Sequence, residues 1–206
     1  MQFFKKSRSR SDTSAGHMII TGTGRAGTTL LVQYFTILGF DTGFSTEESE
    51  NSVDPVSNAG LEHSLASDGL PYVIKSPWFA DQLADVLAKG EISVRHAILP
   101  VRSLFEAAES RRRVSSLGSK DGGLWGTDRP GDQETVLAHK FYNAVFSLVS
   151  HDVPITFLQF PKLAKDFDHF YQALGDLLLE HGVHKREAKD AFDAVTKPDR
   201  IHQFGV

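Results

Sequence analysis

Eight consecutive residues near the start of the chain constrain it more than any others: Gly22-Thr23-Gly24-Arg25-Ala26-Gly27-Thr28-Thr29. They follow the short apolar run Met18-Ile19-Ile20 and precede a stretch in which Leu30, Leu31, Tyr34, Phe35 and Leu38 recur at helical spacing until Gly39. The apolar run reads as a buried strand of a parallel sheet, and residues 28–38 read as a helix ended by glycine. Gly22 and Gly27, with four residues between them, let backbone N–H groups turn inward and approach an anion closely. The start of the following helix adds partial positive charge at the same place. Strand, loop and helix agree, so an anion-binding loop outweighs a plain glycine turn.

The rest of the chain alternates in the same way. Tyr72-Val73-Ile74 is a second expected strand, and Pro77 opens a helix that reaches about Lys89. Val94 to Val101 is a third strand, followed by a helix over Ser103–Val114. Glu134–Ser150 reads as a helix, Pro154–Phe160 as a fourth strand, Leu163–His181 as one long helix and Lys185–Val195 as a short last one. Residues 40–66 are rich in Ser, Thr, Asn, Asp and Gly and read as mostly loop. Residues 117–133 hold five glycines around Trp125 and read as a mobile loop, either a lid or a segment anchored by its tryptophan. The alternation predicts an α/β fold: a three-layer sandwich with a central parallel sheet, like that of P-loop nucleotide-binding proteins.

With 206 residues the chain suits one such domain, expected over 17–206 behind a disordered basic arm over 1–16 that carries Lys5, Lys6, Arg8 and Arg10. The net charge of −4 argues against nucleic acid as partner. The absence of cysteine excludes disulfides and cysteine-ligated zinc. No apolar run approaches the roughly 18 residues of a membrane span, and the basic arm lacks the apolar stretch of a signal peptide. The expected location is the cytoplasm. The nine histidines are scattered without ligand spacing, so no metal is expected.

The loop has the P-loop spacing, but Thr28 stands where the lysine of that motif belongs and Thr29 takes the following Ser/Thr position. The cation is Arg25, two residues before the second glycine. Gly24-Arg25-Ala26-Gly27-Thr28-Thr29-Leu30 resembles the 5′-phosphosulfate loop of sulfotransferases, Lys/Arg-Ser-Gly-Thr-Thr, with Ala26 in place of the serine. A second constellation leaves the end of the third strand. Arg102 and Ser110 are eight residues apart, close to two helical turns, so a charged fork and a hydroxyl can grip one phosphate. Sulfotransferases hold the 3′-phosphate of their donor with an Arg and a Ser at this spacing. Arg111, Arg112 and Arg113 follow, either as a solvated basic helix end or as extra charge facing the nucleotide. Third, Lys75 in Tyr72-Val73-Ile74-Lys75-Ser76-Pro77 matches the lysine that faces the bridging oxygen of the donor. Pro77 occupies the position of the catalytic histidine of cytosolic members, as in many bacterial and Golgi-type members.

The resemblance covers Met18 to about Leu179. It implies transfer of a sulfuryl group from 3′-phosphoadenosine 5′-phosphosulfate to a hydroxyl or amine of a small-molecule or glycan acceptor, with no metal. Arg25 and Lys75 would be catalytic; Gly24, Arg25, Ala26, Gly27, Thr28, Thr29, Arg102 and Ser110 would bind the donor. Carboxylate-using members place a Glu about twenty residues after the loop cation, which points to Glu47, with Glu48, Asp54 and His63 as further candidates for the base. Two other readings stay open: a kinase-like P-loop enzyme with an unusual loop, and a nucleotide-binding relative without activity. A homodimer is compatible with all three.

Overall fold

A computed structural model describes residues 10, 16–65, 69–118 and 121–196. Of the expected N-terminal arm it describes Arg10 and Gly16; residues 1–9 and 11–15 lie outside the described residues, as do 66–68, 119–120 and 197–206.

Met18, Ile19 and Ile20 are fully buried, and this short strand β1 (His17–Ile20) lies inside the sheet. β2 (Val73–Lys75) flanks it on one side and β3 (Val94–Val101) on the other; β4 (Ile155–Gln159) follows β3, giving the order β2-β1-β3-β4 with every pairing parallel. Alternation along the strands separates two cores. Met18, Ile20, Ile98 and Leu158 pack with α1 (Thr28–Ile37), α6 (Phe167–Glu180) and α7 (Lys185–Val195). Ile19, Ile74, Ala97 and Leu99 pack with α3 (Phe79–Ala88) and α5 (Gln133–Ser150) on the opposite face. The expected central parallel sheet between helical layers is therefore present. Each fully buried Leu, Ile or Phe in these cores contributes about 1.5–3 kcal/mol of transfer free energy. No helix among the described residues is long and apolar enough to cross a membrane.

Three elements depart from expectation. The expected loop over 40–66 contains a short helix, α2 (Thr46–Asn51). Ser45 starts it through a capping box: the Glu48 N–H donates to Ser45 Oγ at 3.2 Å, and the Ser45 N–H donates to Glu48 Oε2 at 2.8 Å. The helix expected from Leu163 is divided. Lys162–Ala164 makes a 3-10 turn, and Asp166 then caps α6 by accepting the His169 N–H at 3.0 Å. The glycine-rich segment after α4 (Leu104–Ser116) is tied down. The Trp125 N–H donates to Gln133 Oε1 at 2.8 Å, and Gln133 Nε2 returns a bond to the Trp125 carbonyl at 3.1 Å.

Because the strands are parallel, β1, β2 and β3 end at one edge of the sheet. Ligands of open α/β sheets bind beyond that edge, where strand order reverses. Here it carries the loop 22–27, Lys75 and Arg102.

Candidate functional site

The loop adopts the backbone its glycines predict. Gly22, Gly24 and Gly27 have φ of 142°, 68° and 90°, and Arg25 shares the left-handed region at 57°. A Cβ on Gly24 would stand 2.6 Å from Arg111 Nη2, so a side chain there would displace that guanidinium as well as strain the backbone. Beyond the loop opens a cleft of about 720 Å³. Gly24, Arg25, Gly27, Thr28, Thr29, Lys75, Arg102 and Ser110 all line it. Ala26 does not; it is fully buried beneath the loop.

The cations share a network. Arg25 Nε donates to Ser110 Oγ at 3.0 Å, and Arg25 Nη1 donates to the Ser57 carbonyl. Arg102 Nη1 donates to the Arg25 carbonyl at 3.0 Å, pairs with Glu106 and lies over the Phe160 ring, 4.8 Å from its centre. Arg102 and Ser110 are thus brought into one cleft, with Arg25 between them. Lys75 is almost completely buried and uses its three protons on Thr29 Oγ1 at 3.0 Å, the Gly60 carbonyl at 2.5 Å and Glu62 Oε1 at 2.8 Å. Burial lowers its pKa, and Glu62 opposes that shift. Burial together with the neighbouring Arg102 lowers Arg25 to about 10.

Arg111, left open between two roles by the sequence, is a buried member of the site. Its Nη1 donates to the Gly123 carbonyl and its Nη2 to the Thr23 carbonyl, both at 2.7 Å, and it lies over the Trp125 ring. One guanidinium therefore joins the loop 22–27 to the glycine-rich segment. Its Nε is buried without a hydrogen-bond partner, and burial followed by repulsion from Arg25 lowers its pKa to about 9. The signal was in the helix phase: Ala107, Ser110, Arg111 and Val114 form the buried stripe of α4. Arg112 points elsewhere and pairs with Glu109 and Glu134.

The expected carboxylates fall differently. Glu47 is exposed on α2 and does not line the cleft. Ser49 is the buried residue of that helix, and Glu47, two positions away, lies about 160–200° around it. Glu48 is used in the capping box. Asp54 lines the cleft, but its Oδ1 accepts the Val56 and Ser57 N–H groups, which hold its pKa down. His63 supports β2: the Lys75 N–H donates to its Nδ1 at 3.0 Å, and its Nε2 sits 3.0 Å from the Thr42 carbonyl as donor. Burial lowers its pKa and favours the neutral ring. The carboxylate brought to the centre is Glu62, which no motif in the sequence marks. Trp78, about half exposed on the same cleft, was also not anticipated.

Neither Arg25 nor Arg111 forms a salt bridge among the described residues. Arg25 is half-buried and feels the charge of Asp54 without contact, whereas Arg111 is buried with no acidic group of the described residues acting on it; such a charge is costly, and a bound polyanion would offset it. The site can therefore hold anionic groups at more than one point along the cleft.

No family model matches the chain, and no curated protein matches it. Among solved structures, the sulfotransferase domain from the curacin biosynthetic pathway matches with a TM-score of 0.50 and 18% identity, over 82% of this chain and 74% of that one. The sulfotransferase domain from the Synechococcus PCC 7002 olefin synthase matches with a TM-score of 0.48 and 15% identity, over 97% of this chain and 86% of that one. At this identity the likeness is one of architecture: the chain shares the parallel α/β fold of a sulfotransferase domain.

Proposed function

We propose that this chain is a sulfotransferase that takes a sulfuryl group from 3′-phosphoadenosine 5′-phosphosulfate and passes it to a hydroxyl or amine acceptor. The observation that carries this is the gathering of Arg25, Thr28, Thr29, Lys75, Arg102 and Ser110 around one cleft at the ends of three parallel strands. The half-buried guanidinium of Arg25 and the buried one of Arg111, neither of them in a salt bridge among the described residues, fit a nucleotide with several phosphate charges. Loop amides, Arg25 and the two threonines would hold the 5′-phosphate; Arg102 and Ser110 would hold the 3′-phosphate.

Sulfuryl transfer asks the protein for positioning and charge stabilisation. As the bond from sulfur to the bridging oxygen breaks, Lys75 would steady the negative charge growing on that oxygen. Arg25 and Lys75 would turn to the donor from the Ser57 and Gly60 carbonyls that they now bond. The acceptor's oxygen or nitrogen forms the new bond to sulfur, and its proton must go to a base. The geometry favours Glu62 over Glu47 for this, because Glu62 lines the cleft beside Lys75.

The test is transfer of labelled sulfate from the donor to a panel of phenols, amines, sugars and lipids, run beside calorimetry with the desulfated nucleotide. Glu62→Gln should abolish transfer and keep nucleotide binding, while Glu47→Gln should keep both. Tight binding of ATP with magnesium, and none of the 3′-phosphorylated nucleotide, would overturn the proposal.

A further inference from the structure

The two edges of the sheet are finished differently. At the β2 edge, the Val73 N–H donates to the Asp41 carbonyl at 2.9 Å and the His63 N–H donates to the Lys75 carbonyl at 2.7 Å, so neighbouring backbone covers the strand. β4 is the last strand on the other side, and none of the described residues pairs with its outer edge. The Ala97 N–H donates to the Pro154 carbonyl and the Phe160 N–H to the Val101 carbonyl. The alternation of a parallel ladder therefore turns the backbone groups of Ile155, Phe157 and Gln159 outward. Residues 153–160 carry no charge, and the strand itself has no proline or bulge, so the usual guards against edge pairing are missing.

An apolar stripe runs beside this edge. Tyr142, Phe146 and Val149 follow one another at i, i+4 and i+7 on α5 and are 65%, 59% and 60% exposed. Phe157 of β4, 49% exposed, meets Phe141 of α5 at 6.4 Å between ring centres and joins the stripe to the strand. No Asp, Glu, Lys or Arg falls between Phe141 and Ser150.

The chemistry selects the occupant. A free strand edge wants another strand, which a lipid surface does not offer, and the lack of charge leaves nothing for nucleic acid to recognise. The described ends of the chain, Arg10 on Leu38 and Glu187 and Thr196 after α7, lie with the helices of the opposite face. A second copy of the chain offers both an uncharged strand and an apolar stripe. A two-fold axis normal to the sheet would set β4 antiparallel to its counterpart and place the two α5 helices side by side. At about 150–250 Å² per aromatic side chain, the exposed fractions amount to roughly 400–500 Å² of apolar surface per copy. With the strand edges added, both copies together pass the roughly 1,000 Å² expected of a specific interface.

We propose that the chain forms a two-fold dimer through the β4 edge and the Tyr142–Phe146–Val149 stripe of α5, joining two sheets into one. This does not depend on the chemistry of the cleft. Sedimentation of the full chain from micromolar to hundred-micromolar concentration should give twice the monomer mass of 22.7 kDa. Combining Tyr142→Lys with Phe146→Lys, or making Phe157→Lys alone, should weaken association by about thirtyfold or more. Phe105→Lys, at an exposed apolar site on α4, should leave the dimer intact. Hydrogen exchange provides a measurement without substitutions: the Phe157 and Gln159 amides should be protected at high concentration and exchange faster on dilution. A wild-type chain that stays monomeric, a dimer indifferent to the lysines, or edge amides that exchange equally at both concentrations would overturn the proposal.

Discussion

Two loops meet at the cleft, and the hydrogen bonds between their two sides run one way. Residues 22–27, with the helix and strand ends around them, supply donors: Arg25, Thr29 and, from the end of β2, Lys75. Residues 53–62 supply acceptors, the carbonyls of Ser57, Asn58 and Gly60 and the carboxylate of Glu62. The backbones of these donors are held by regular structure, Lys75 at the end of β2, Thr29 in α1 and Arg25 on the short loop between β1 and α1. The acceptors are mostly backbone oxygens of an irregular segment, shaped by the Asp54 turn and a single bridge between Val53 and Gly60. On the proposed reading, the donors of the first side meet the anion, and the facing segment holds them with groups that phosphate oxygens can replace.

This division of labour can be broken experimentally, and the donor side should respond most. Lys75→Met removes the cation that the proposed mechanism sets against charge on the bridging oxygen. It should lower kcat about 10²–10³-fold, as does loss of a donor aimed at developing charge. Unchanged turnover would take Lys75 out of the chemistry. Arg102→Ala should weaken binding of the 3′,5′-bisphosphorylated nucleotide by about 1.5–3 kcal/mol, the size of a charged hydrogen bond. The same variant should bind the 5′-monophosphate nearly as wild type does; equal losses for the two ligands in calorimetry would place Arg102 away from the 3′-phosphate.

Smaller effects are expected where only shape is at stake. Gly24→Ala forces a side chain into a left-handed conformation and against Arg111, at about 1–2 kcal/mol for the backbone alone. At roughly 2–4 °C per kcal/mol for a chain of this size, thermal melting should fall by several degrees. An unshifted transition would mean that the loop has another backbone. Ser57→Ala leaves the carbonyl that Arg25 uses and removes a hydroxyl that accepts the Ala59 N–H at 3.1 Å. Nucleotide affinity should stay within about threefold of wild type, less than 0.7 kcal/mol. A larger loss would show that side chains of the facing segment take part in recognition.

The same contrast explains what could be read from the sequence. The strand-loop-helix unit was legible because glycine spacing, an apolar run and helical periodicity all point to one backbone. Lys75 and Arg102 were legible as the residues that leave strand ends. Arg111 was half legible: its neighbours Ala107, Ser110 and Val114 mark a buried face, but three arginines in a row hide which of them belongs to it. Glu62 was not legible, because its place depends on how Asp54, Asn58 and Gly60 turn the chain, and loop conformations of this kind leave no periodic trace. Glu47 has the spacing of a catalytic carboxylate, yet Ser45 nucleates a helix there whose phase carries it out of the cleft. The break before α6 depends on the cap that Asp166 makes, a local bond that competes with an otherwise continuous apolar pattern.

The central claim is that the cleft reads a nucleotide by two separate phosphates, and calorimetry of the full chain with three nucleotides tests it most directly. The 3′,5′-bisphosphorylated adenosine should bind at least about tenfold more tightly than the 5′-monophosphate, a difference of 1.4 kcal/mol or more, and ATP with magnesium should bind no better than the monophosphate. Equal affinity for the bisphosphate and the monophosphate, or a preference for ATP with magnesium, would contradict it.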